Sequence, residues 1–418
     1  MLFFVWEQAA EFFEGIDAHK EAIDVYIRAG LWDKARAVTT QQPQFASYVE
    51  QHFQQKQGGG GGRGGAGRMN SSGGGGGSGG AMGAGGGIGG GGGGGGKGDG
   101  LQELAQRGDW ERCLEVAQAM GQDGLEQYVG MHTTALLGQG QPEEAVHIFY
   151  KHATPAGNLP VYKQVAKEVL GRNRSNSTLD GTWLPAVKEL REVLYKLWST
   201  IRTAPDVDRS DLSEIERLMH CAHYMCLHAA VKGKGGAMAE LEQKLATTLV
   251  RYCDILPADM VFYEAGQACK AVGKLNQGFV FTNRFLDICD AMEEADSSSM
   301  IDNADYENTD IPFDFNVPDK RAYLSEPERE AVREWVLTLS MDQKVEPVLS
   351  TVKCYKCSIP IYEANLSCPK CNSKFKTCSV TGFPVPRPRG ELPAEEVFMR
   401  FHDGSMGFKD YIDFCVRL

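Results

Sequence analysis

Four cysteines in the last fifth of the chain have the type and spacing of a metal site. They form two Cys-x-x-Cys pairs separated by ten residues, Cys354 with Cys357 and Cys368 with Cys371. A two-residue gap lets both thiolates of a pair face one ion from a tight turn, and two such turns complete a tetrahedron. Asn372 fits this interpretation, because asparagine tolerates the positive φ that such a turn often needs. The spacing predicts one Zn²⁺ ion held by four thiolates, in preference to iron, disulfides or plain buried thiols.

A closed site of four cysteines has a structural role, because it leaves no open position for a reacting water molecule. The ten residues between the pairs are fewer than in the commonest spacing, and we expect them to form a compact β-hairpin. Three possible ligands remain, Cys378, His402 and Cys415. We expect one ion, and the sequence leaves open whether these three bind a second.

The composition narrows the classes of partner. The chain has 418 residues, of which 42% are hydrophobic, and a formal net charge of −12. An acidic chain is not expected to neutralise phosphates, and the five lysines near the cysteine pairs are expected to form a solvated face, so we expect no nucleic-acid partner. We also expect no signal peptide and no transmembrane segment, because no apolar run approaches roughly 18 residues. This favours a cytoplasmic protein with reduced thiols.

The elements that must position the cysteines are mainly helical. A glycine followed five residues later by a small residue recurs along the chain, as expected where one helix ends and the next packs closely against it. The copies are Gly30 with Ala35, Gly108 with Cys113, Gly140 with Ala145 and, more weakly, Gly273 with Gly278. The repeat predicts tetratricopeptide-like helical hairpins over 1–57 and a tetratricopeptide-like α-solenoid over 101–291, with an ordinary helical bundle as the alternative.

Two connecting segments interrupt the helical pattern. Residues 58–100 are almost entirely Gly, Ser and Ala, which predicts a flexible linker. Residues 292–350 form an acidic connector with one helix, predicted over 325–340 from Ser325 and the acidic residues after it. We expect this helix to bury Val332, Trp335, Val336 and Leu339. Five cysteines of the helical part have no metal-site spacing and are expected in the core: Cys221, Cys226, Cys253, Cys269 and Cys289.

The residues after the second cysteine pair include the string Cys378-Ser-Val-Thr-Gly-Phe-Pro-Val385. This string resembles the opening of a U-box, the RING-like domain of certain ubiquitin ligases, although Ser379 replaces the usual proline. The resemblance implies a small zinc-binding, U-box/RING-like α+β domain over 351–418. It also implies that Val380 occupies the apolar position that such domains present to a ubiquitin-conjugating enzyme. We expect the partner-binding residues to be Val380, Phe383, Pro384 and Val385.

Four longer strings precede the U-box-like turn, namely residues 256–266, 283–287, 310–313 and 335–343. In sequence and in order they resemble a family of ciliary transport proteins, the peripheral subunits of intraflagellar transport complex B. The resemblance implies a scaffold in the cytoplasm, cilium or flagellum and basal body, which binds other transport subunits and, through its U-box-like module, ubiquitin or related partners. The alternative is a ubiquitin ligase that docks a ubiquitin-conjugating enzyme on that module and needs no catalytic side chain of its own.

Overall fold

The computed structural model describes most of the helical and cysteine-rich parts of the chain. The described ranges are 19–29, 31–58, 96–152, 158–172, 183–204, 207–293, 301–313, 315, 323–341, 345–385, 398–400 and 406–408. The chain divides into two units, Leu2–Cys113 and Leu114–Leu418. The described residues are mainly helical, which confirms the predicted class.

The first unit contains short helices separated by tight turns. They are α1 (His19–Ala29), α2 (Trp32–Gln41), a 3-10 turn (Pro43–Phe45), α3 (Ala46–Gly58), α4 (Gly96–Arg107) and the start of α5 (Trp110–Met120). Helix α1 packs on α2 and α3 through a face that includes Ala22 and Tyr26, which lie one turn apart and are buried. Helix α4 begins inside the predicted linker, whose residues 59–95 lie outside the described part, as does Gly30.

The recurring glycines end helices in the expected left-handed conformation. Gly108, Gly140 and Gly273 have φ values of 78°, 71° and 77°. In each case the next residue donates its N–H to the carbonyl five residues back, at 2.9–3.0 Å, which is the Schellman pattern of a helix C-terminus. The small residues Cys113 and Ala145 are fully buried. The sequence therefore predicted these helix ends and close contacts correctly.

The second unit continues with a series of helices that we call the helical region, Gln122–Glu293. They are α6 (Gln122–Gly138), α7 (Pro142–Lys151), α8 (Leu159–Gly171), α9 (Trp183–Ile201), α10 (Arg209–Val231), a 3-10 turn (Gly236–Met238), α11 (Ala239–Val250), α12 (Ala258–Ala271) and α13 (Leu275–Glu293). Each helix contacts the next, and α6, α7 and α8 also contact the next but one. The five cysteines expected in the core are all buried.

The acidic connector lies against this helical region. Tyr306, in a 3-10 turn (Ala304–Tyr306), is buried, and its hydroxyl donates to the Val280 carbonyl at 3.2 Å. The Arg284 guanidinium lies 4.5 Å above the Tyr306 ring and donates to Asn303 Oδ1 at 2.8 Å. These contacts explain how an acidic, irregular segment is held without regular secondary structure.

Helix α14 (Glu326–Ser340) follows, and Ser325 forms its capping box with Glu328. The Ser325 N–H donates to Glu328 Oε2 at 2.9 Å, which satisfies a backbone donor at the helix start. Three of its four expected core residues are buried, Val332, Val336 and Leu339. Trp335 is instead half-buried, and the Lys270 ammonium lies 4.5 Å from the centre of its ring. Within the described residues no helix combines the length and apolarity needed to cross a lipid bilayer.

Two short antiparallel sheets occur in the cysteine-rich part. One pairs β1 (Thr351–Lys353) with β2 (Pro360–Tyr362), and the other pairs β3 (Phe398–Arg400) with β4 (Met406–Phe408). The expected hairpin between the cysteine pairs is therefore wrong, since β2 pairs with residues that precede Cys354. The physical reason is that the cysteine turn itself reverses the chain and brings its own flanks together.

Candidate metal centre

The first cysteine turn runs from Cys354 to Cys357 and is closed by β1 and β2. The Cys354 N–H donates to the Ile359 carbonyl at 2.9 Å, and the Ser358 N–H donates back to the Cys354 carbonyl at 2.9 Å. Ser358 has a φ of 62°, in the left-handed region. These two backbone bonds fix the turn so that both of its sulfur atoms face the same side.

The second cysteine turn, from Cys368 to Cys371, repeats this geometry. The Cys368 N–H donates to the Ser373 carbonyl at 3.0 Å, and the Asn372 N–H donates to the Cys368 carbonyl at 2.9 Å. Asn372 has a φ of 52°, so the positive φ expected from its residue type is present. The two turns are thus equivalent residue by residue.

The two turns bring all four sulfur atoms within 4.8 Å of one another. Cys354 Sγ lies 3.8 Å from Cys371 Sγ, and Cys357 Sγ lies 3.6 Å from Cys368 Sγ. Tetrahedral Zn²⁺ with bonds of about 2.3 Å places its sulfur ligands about 3.8 Å apart, so the spacing fits this ion. Among the described residues this is the one cluster of histidine, cysteine or acidic side chains with metal-binding geometry.

Hydrogen bonds to sulfur prepare the site for thiolates. The backbone N–H groups of Cys357 and Lys356 lower the pKa of Cys354. The Ser373 hydroxyl, 3.2 Å from Cys371 Sγ, and the Ser373 N–H lower the pKa of Cys371 to about 6. The Ile359 N–H lowers the pKa of Cys357, but burial and the neighbouring thiols outweigh it and raise that pKa to about 11. Such N–H donors stabilise the charged form that binds metal.

A third turn, Cys378–Thr381, has the same backbone shape without the second cysteine. The Cys378 N–H donates to the Phe383 carbonyl at 2.8 Å, and the Gly382 N–H donates to the Cys378 carbonyl at 2.8 Å. Gly382 has a φ of 72°, at the position of Ser358 and Asn372. Sequence reasoning placed Cys378 at the start of the U-box-like turn and among the possible ligands, but it missed that this turn repeats the two metal turns.

Thr381 takes the place of the second ligand in the third turn. Its Oγ1 accepts the Phe383 N–H at 3.2 Å, as the second sulfur accepts an N–H in the two metal turns. Cys378 Sγ accepts the Thr381 N–H at 3.4 Å. One antiparallel pair closes each turn at the same register, namely Lys353 with Pro360, Ser367 with Lys374 and Thr377 with Pro384. Hydrogen bonds alone therefore hold the third turn in the shape that the others present to an ion.

The third turn is bonded to the helical region through its backbone. Thr248, on α11, donates its hydroxyl to the Thr381 carbonyl at 2.7 Å. His223, on α10, donates from Nε2 to the Ser379 carbonyl at 2.9 Å. Burial, then the charge of a nearby arginine, hold the pKa of His223 well below its usual value, so the imidazole is neutral.

Arg251, directly after α11, extends the same contact. Its Nη2 donates to the Ala364 carbonyl at 2.7 Å, and Nη1 donates to the Gly382 carbonyl at 3.3 Å. A Cβ on Gly382 would lie 2.3 Å from Thr248 Cγ2, so only glycine allows this approach. No feature of the sequence marked His223, Thr248 or Arg251, because the contacts join residues more than 100 positions apart.

The predicted partner-binding residues lie together in and after the third turn. Val380, Phe383 and Val385 are 4%, 7% and 6% exposed, and Pro384 is half-buried. Their role in partner binding stays a prediction. The other two possible ligands, His402 and Cys415, lie outside the described residues.

The fold and the site together define a mainly helical protein with a four-cysteine module. Over most of its length the chain is similar to intraflagellar transport protein 172. It is 31% identical to the zebrafish (Danio rerio) protein over 93% of this chain and 32% identical to the Chlamydomonas reinhardtii protein over 91%. It is 30% identical to the human protein over 92% of this chain. No protein-family model matches it. The chain spans about a fifth of the length of these relatives and matches their C-terminal part. It is a homologue of that part of intraflagellar transport protein 172, which confirms the resemblance seen in the sequence.

Proposed function

We propose that the chain is a non-catalytic scaffold of intraflagellar transport, located in the cytoplasm, at the basal body and in the cilium or flagellum. The similarity to intraflagellar transport protein 172 over more than nine-tenths of the chain carries this proposal. We infer further that the helical region forms a tetratricopeptide-like α-solenoid, whose long surface binds other transport subunits. The contacts of successive helices with each other support this architecture.

A chimaera tests the scaffold role. The matching C-terminal part of the Chlamydomonas reinhardtii protein is replaced by this chain, and flagellar length and the position of a fluorescent tag are measured. The scaffold role predicts that the chimaera reaches the basal body and flagellum and assembles longer flagella than a truncated protein without this part. A chimaera that enters the flagellum no better than the truncated protein would contradict the proposal.

The four-cysteine module is proposed to hold one structural Zn²⁺ ion. The sulfur distances and the N–H donors to sulfur support this ion. Four thiolates around Zn²⁺ leave a net charge of −2. Lys356 and Lys370 occupy the same position in the two turns, directly before Cys357 and Cys371, and their positive charges partly offset this excess. Metal analysis of the purified chain should give one zinc per chain, and a metal-free folded module would refute the assignment.

The third turn is proposed to bind ubiquitin or a related partner through Val380, Phe383, Pro384 and Val385. The U-box-like sequence of this turn is the support for the proposal. A titration of isotopically labelled ubiquitin with the zinc-loaded chain measures binding through shifts of the ubiquitin resonances. Shifts confined to one face of ubiquitin are expected, whereas resonances that stay in place at millimolar chain would remove this part of the proposal.

The second candidate function is ubiquitin ligase activity, in which the same residues dock a ubiquitin-conjugating enzyme. The observation that favours it is the preserved shape of the third turn, which hydrogen bonds hold without a metal. A reconstituted reaction should then transfer ubiquitin faster than a Val380→Arg variant of equal zinc content. Equal rates for the two chains would exclude ligase activity through this turn.

A further inference from the structure

The third turn differs from the two metal turns in the residue at its tip. The third residue of each turn is Lys356, Lys370 or Val380, in chain order. Both lysines are exposed, whereas Val380 is 4% exposed. The same backbone therefore presents a charged tip to solvent in two turns and an apolar tip to the protein interior in the third.

The bonds that hold the third turn lie on both sides of Val380. His223 bonds to Ser379, directly before it, and Thr248 bonds to Thr381, directly after it. A segment held at both neighbours cannot turn its tip towards another molecule. Any partner that recognises Val380 therefore competes with the helical region for the same turn.

The polar contacts of this interface can be exchanged for water. The helical region supplies the donors and the turn supplies backbone carbonyls, which water can satisfy when the turn leaves the helices. The turn keeps its own internal hydrogen bonds to Cys378 and Thr381, and these need no helix. It can therefore leave the helices as a formed unit, without loss of metal.

We propose that the contact of the third turn with His223, Thr248 and Arg251 is an autoinhibitory latch. In the closed state described by the structure, the helical region covers the turn, and in an open state the turn is free to bind its partner. This inference rests on the proposed function of Val380 and its neighbours as a partner site. Since the partner binds only the open state, its apparent affinity is the intrinsic affinity multiplied by the open fraction.

The test uses a substitution in the helical region that weakens the latch and leaves every residue of the third turn unchanged. Thr248→Val keeps the shape of the side chain and removes the hydrogen bond to the Thr381 carbonyl. We expect the Val380 amide, which lies between the two bonded residues Ser379 and Thr381, to exchange about fivefold to tenfold faster with solvent, and ubiquitin to bind tighter by a similar factor. Zinc content should remain one per chain. The matched control is Thr133→Val, at a fully buried threonine of α6 whose hydroxyl bonds to the Val129 carbonyl. Thr133→Val should change neither the amide exchange of the third turn nor the affinity for ubiquitin.

Three outcomes would overturn the latch. If Thr248→Val speeds exchange in the third turn and ubiquitin binds both chains equally, the latch is wrong and the proposed partner site stands. If neither chain binds ubiquitin while exchange is faster, both the latch and the ubiquitin site are wrong. If exchange is unchanged in Thr248→Val, the Thr248 hydroxyl does not hold the turn. Arg251→Gln is then the second variant, and unchanged exchange in that chain as well would show that no latch exists here.

Discussion

The two metal turns and the third turn share one backbone and differ in what stabilises it. In the metal turns, four sulfur atoms converge to within 4.8 Å, and the tips are exposed lysines. In the third turn, a threonine hydroxyl accepts the corresponding N–H, and the tip is a buried valine. The difference shows that backbone hydrogen bonds and one left-handed residue define this turn, whereas the side chains decide whether a metal ion or a protein surface completes it.

The largest expected effect is a difference in zinc binding and stability between substitutions of two cysteines that are equally buried. Cys368 and Cys378 are both 0% exposed. Cys368→Ser should abolish stoichiometric zinc binding and unfold the module, because roughly 10–16 kcal/mol of metal-binding free energy supports the folding of such sites. Cys378→Ser should keep one zinc and cost about 1 kcal/mol, since the serine oxygen can accept the same N–H. Metal analysis measures the zinc content of each variant, and hydrogen exchange of residues 351–376 measures whether the module is folded. Zinc loss in Cys378→Ser would mean that the third turn supplies a ligand.

A pair of glycines tests how closely the third turn fits the helices. Gly382 and Gly140 have almost the same φ, 72° and 71°, but a Cβ on Gly382 would lie 2.3 Å from Thr248, whereas one on Gly140 meets no atom within 4 Å. Gly382→Ala should therefore lower the free energy of unfolding by about 2–4 kcal/mol, and Gly140→Ala by about 1–2 kcal/mol. Urea unfolding measures the difference. Equal losses would show that the contact with Thr248 is loose.

Acid should affect the third turn through the buried histidines of α10. Burial, then the charge of Arg251, lower the pKa of His220 to about 4, burial lowers the pKa of His228 to about 4, and burial lowers the pKa of His223 well below its usual range. All three are neutral when folded and bind a proton when unfolded below about pH 6.5. Stability is therefore full above pH 6.5 and falls as the pH drops towards 4, by up to about 1.4 kcal/mol per pH unit for each histidine. Urea unfolding at several pH values between 7.5 and 5.5 measures how steeply the free energy of unfolding falls with pH. His223→Gln should make this fall less steep, and an unchanged slope would contradict the role of His223.

The smallest effect is expected when the third turn is made to resemble the other two. Thr381→Cys places a sulfur where the metal turns have their second ligand, and sulfur can accept the Phe383 N–H. Stability should change by less than about 1.5 kcal/mol. Zinc should remain at one per chain, because a second tetrahedral site needs four ligands and the described part of the chain offers only this pair. A second tightly bound zinc would point to ligands beyond the described residues.

The sequence predicted those parts of the fold and the site that depend on near neighbours. The glycine helix ends, the capping box of Ser325 and the positive φ of Asn372 are all local, and each follows from the conformational preferences of one residue type. The convergence of the four sulfur atoms was predicted for the same reason, because the spacing of each pair fixes its turn.

The predicted position of the hairpin was wrong although the pairing is local, because the first cysteine turn itself reverses the chain and pairs 351–353 with 360–362. Features that depend on distant residues could not be predicted from residue type and spacing. Burial of the third turn depends on Thr248 and Arg251, and neither residue differs in type or spacing from an ordinary helix residue. The likeness of the third turn to the metal turns had a signal in the sequence that was missed, since Cys378-x-x-Thr381-Gly382 matches them once threonine is allowed as an acceptor.

The distances along the chain between bonded residues set the order in which the module assembles. Cys354 and Cys371 are 17 residues apart, whereas Thr248 and Thr381 are 133 apart and His223 and Ser379 are 156 apart. Closing the longer loops costs about 2 kcal/mol more chain entropy, and such non-local contacts form late in folding. The metal turns can therefore fold as soon as their own residues and an ion are present, and the third turn completes the native state when it reaches helices that have already formed.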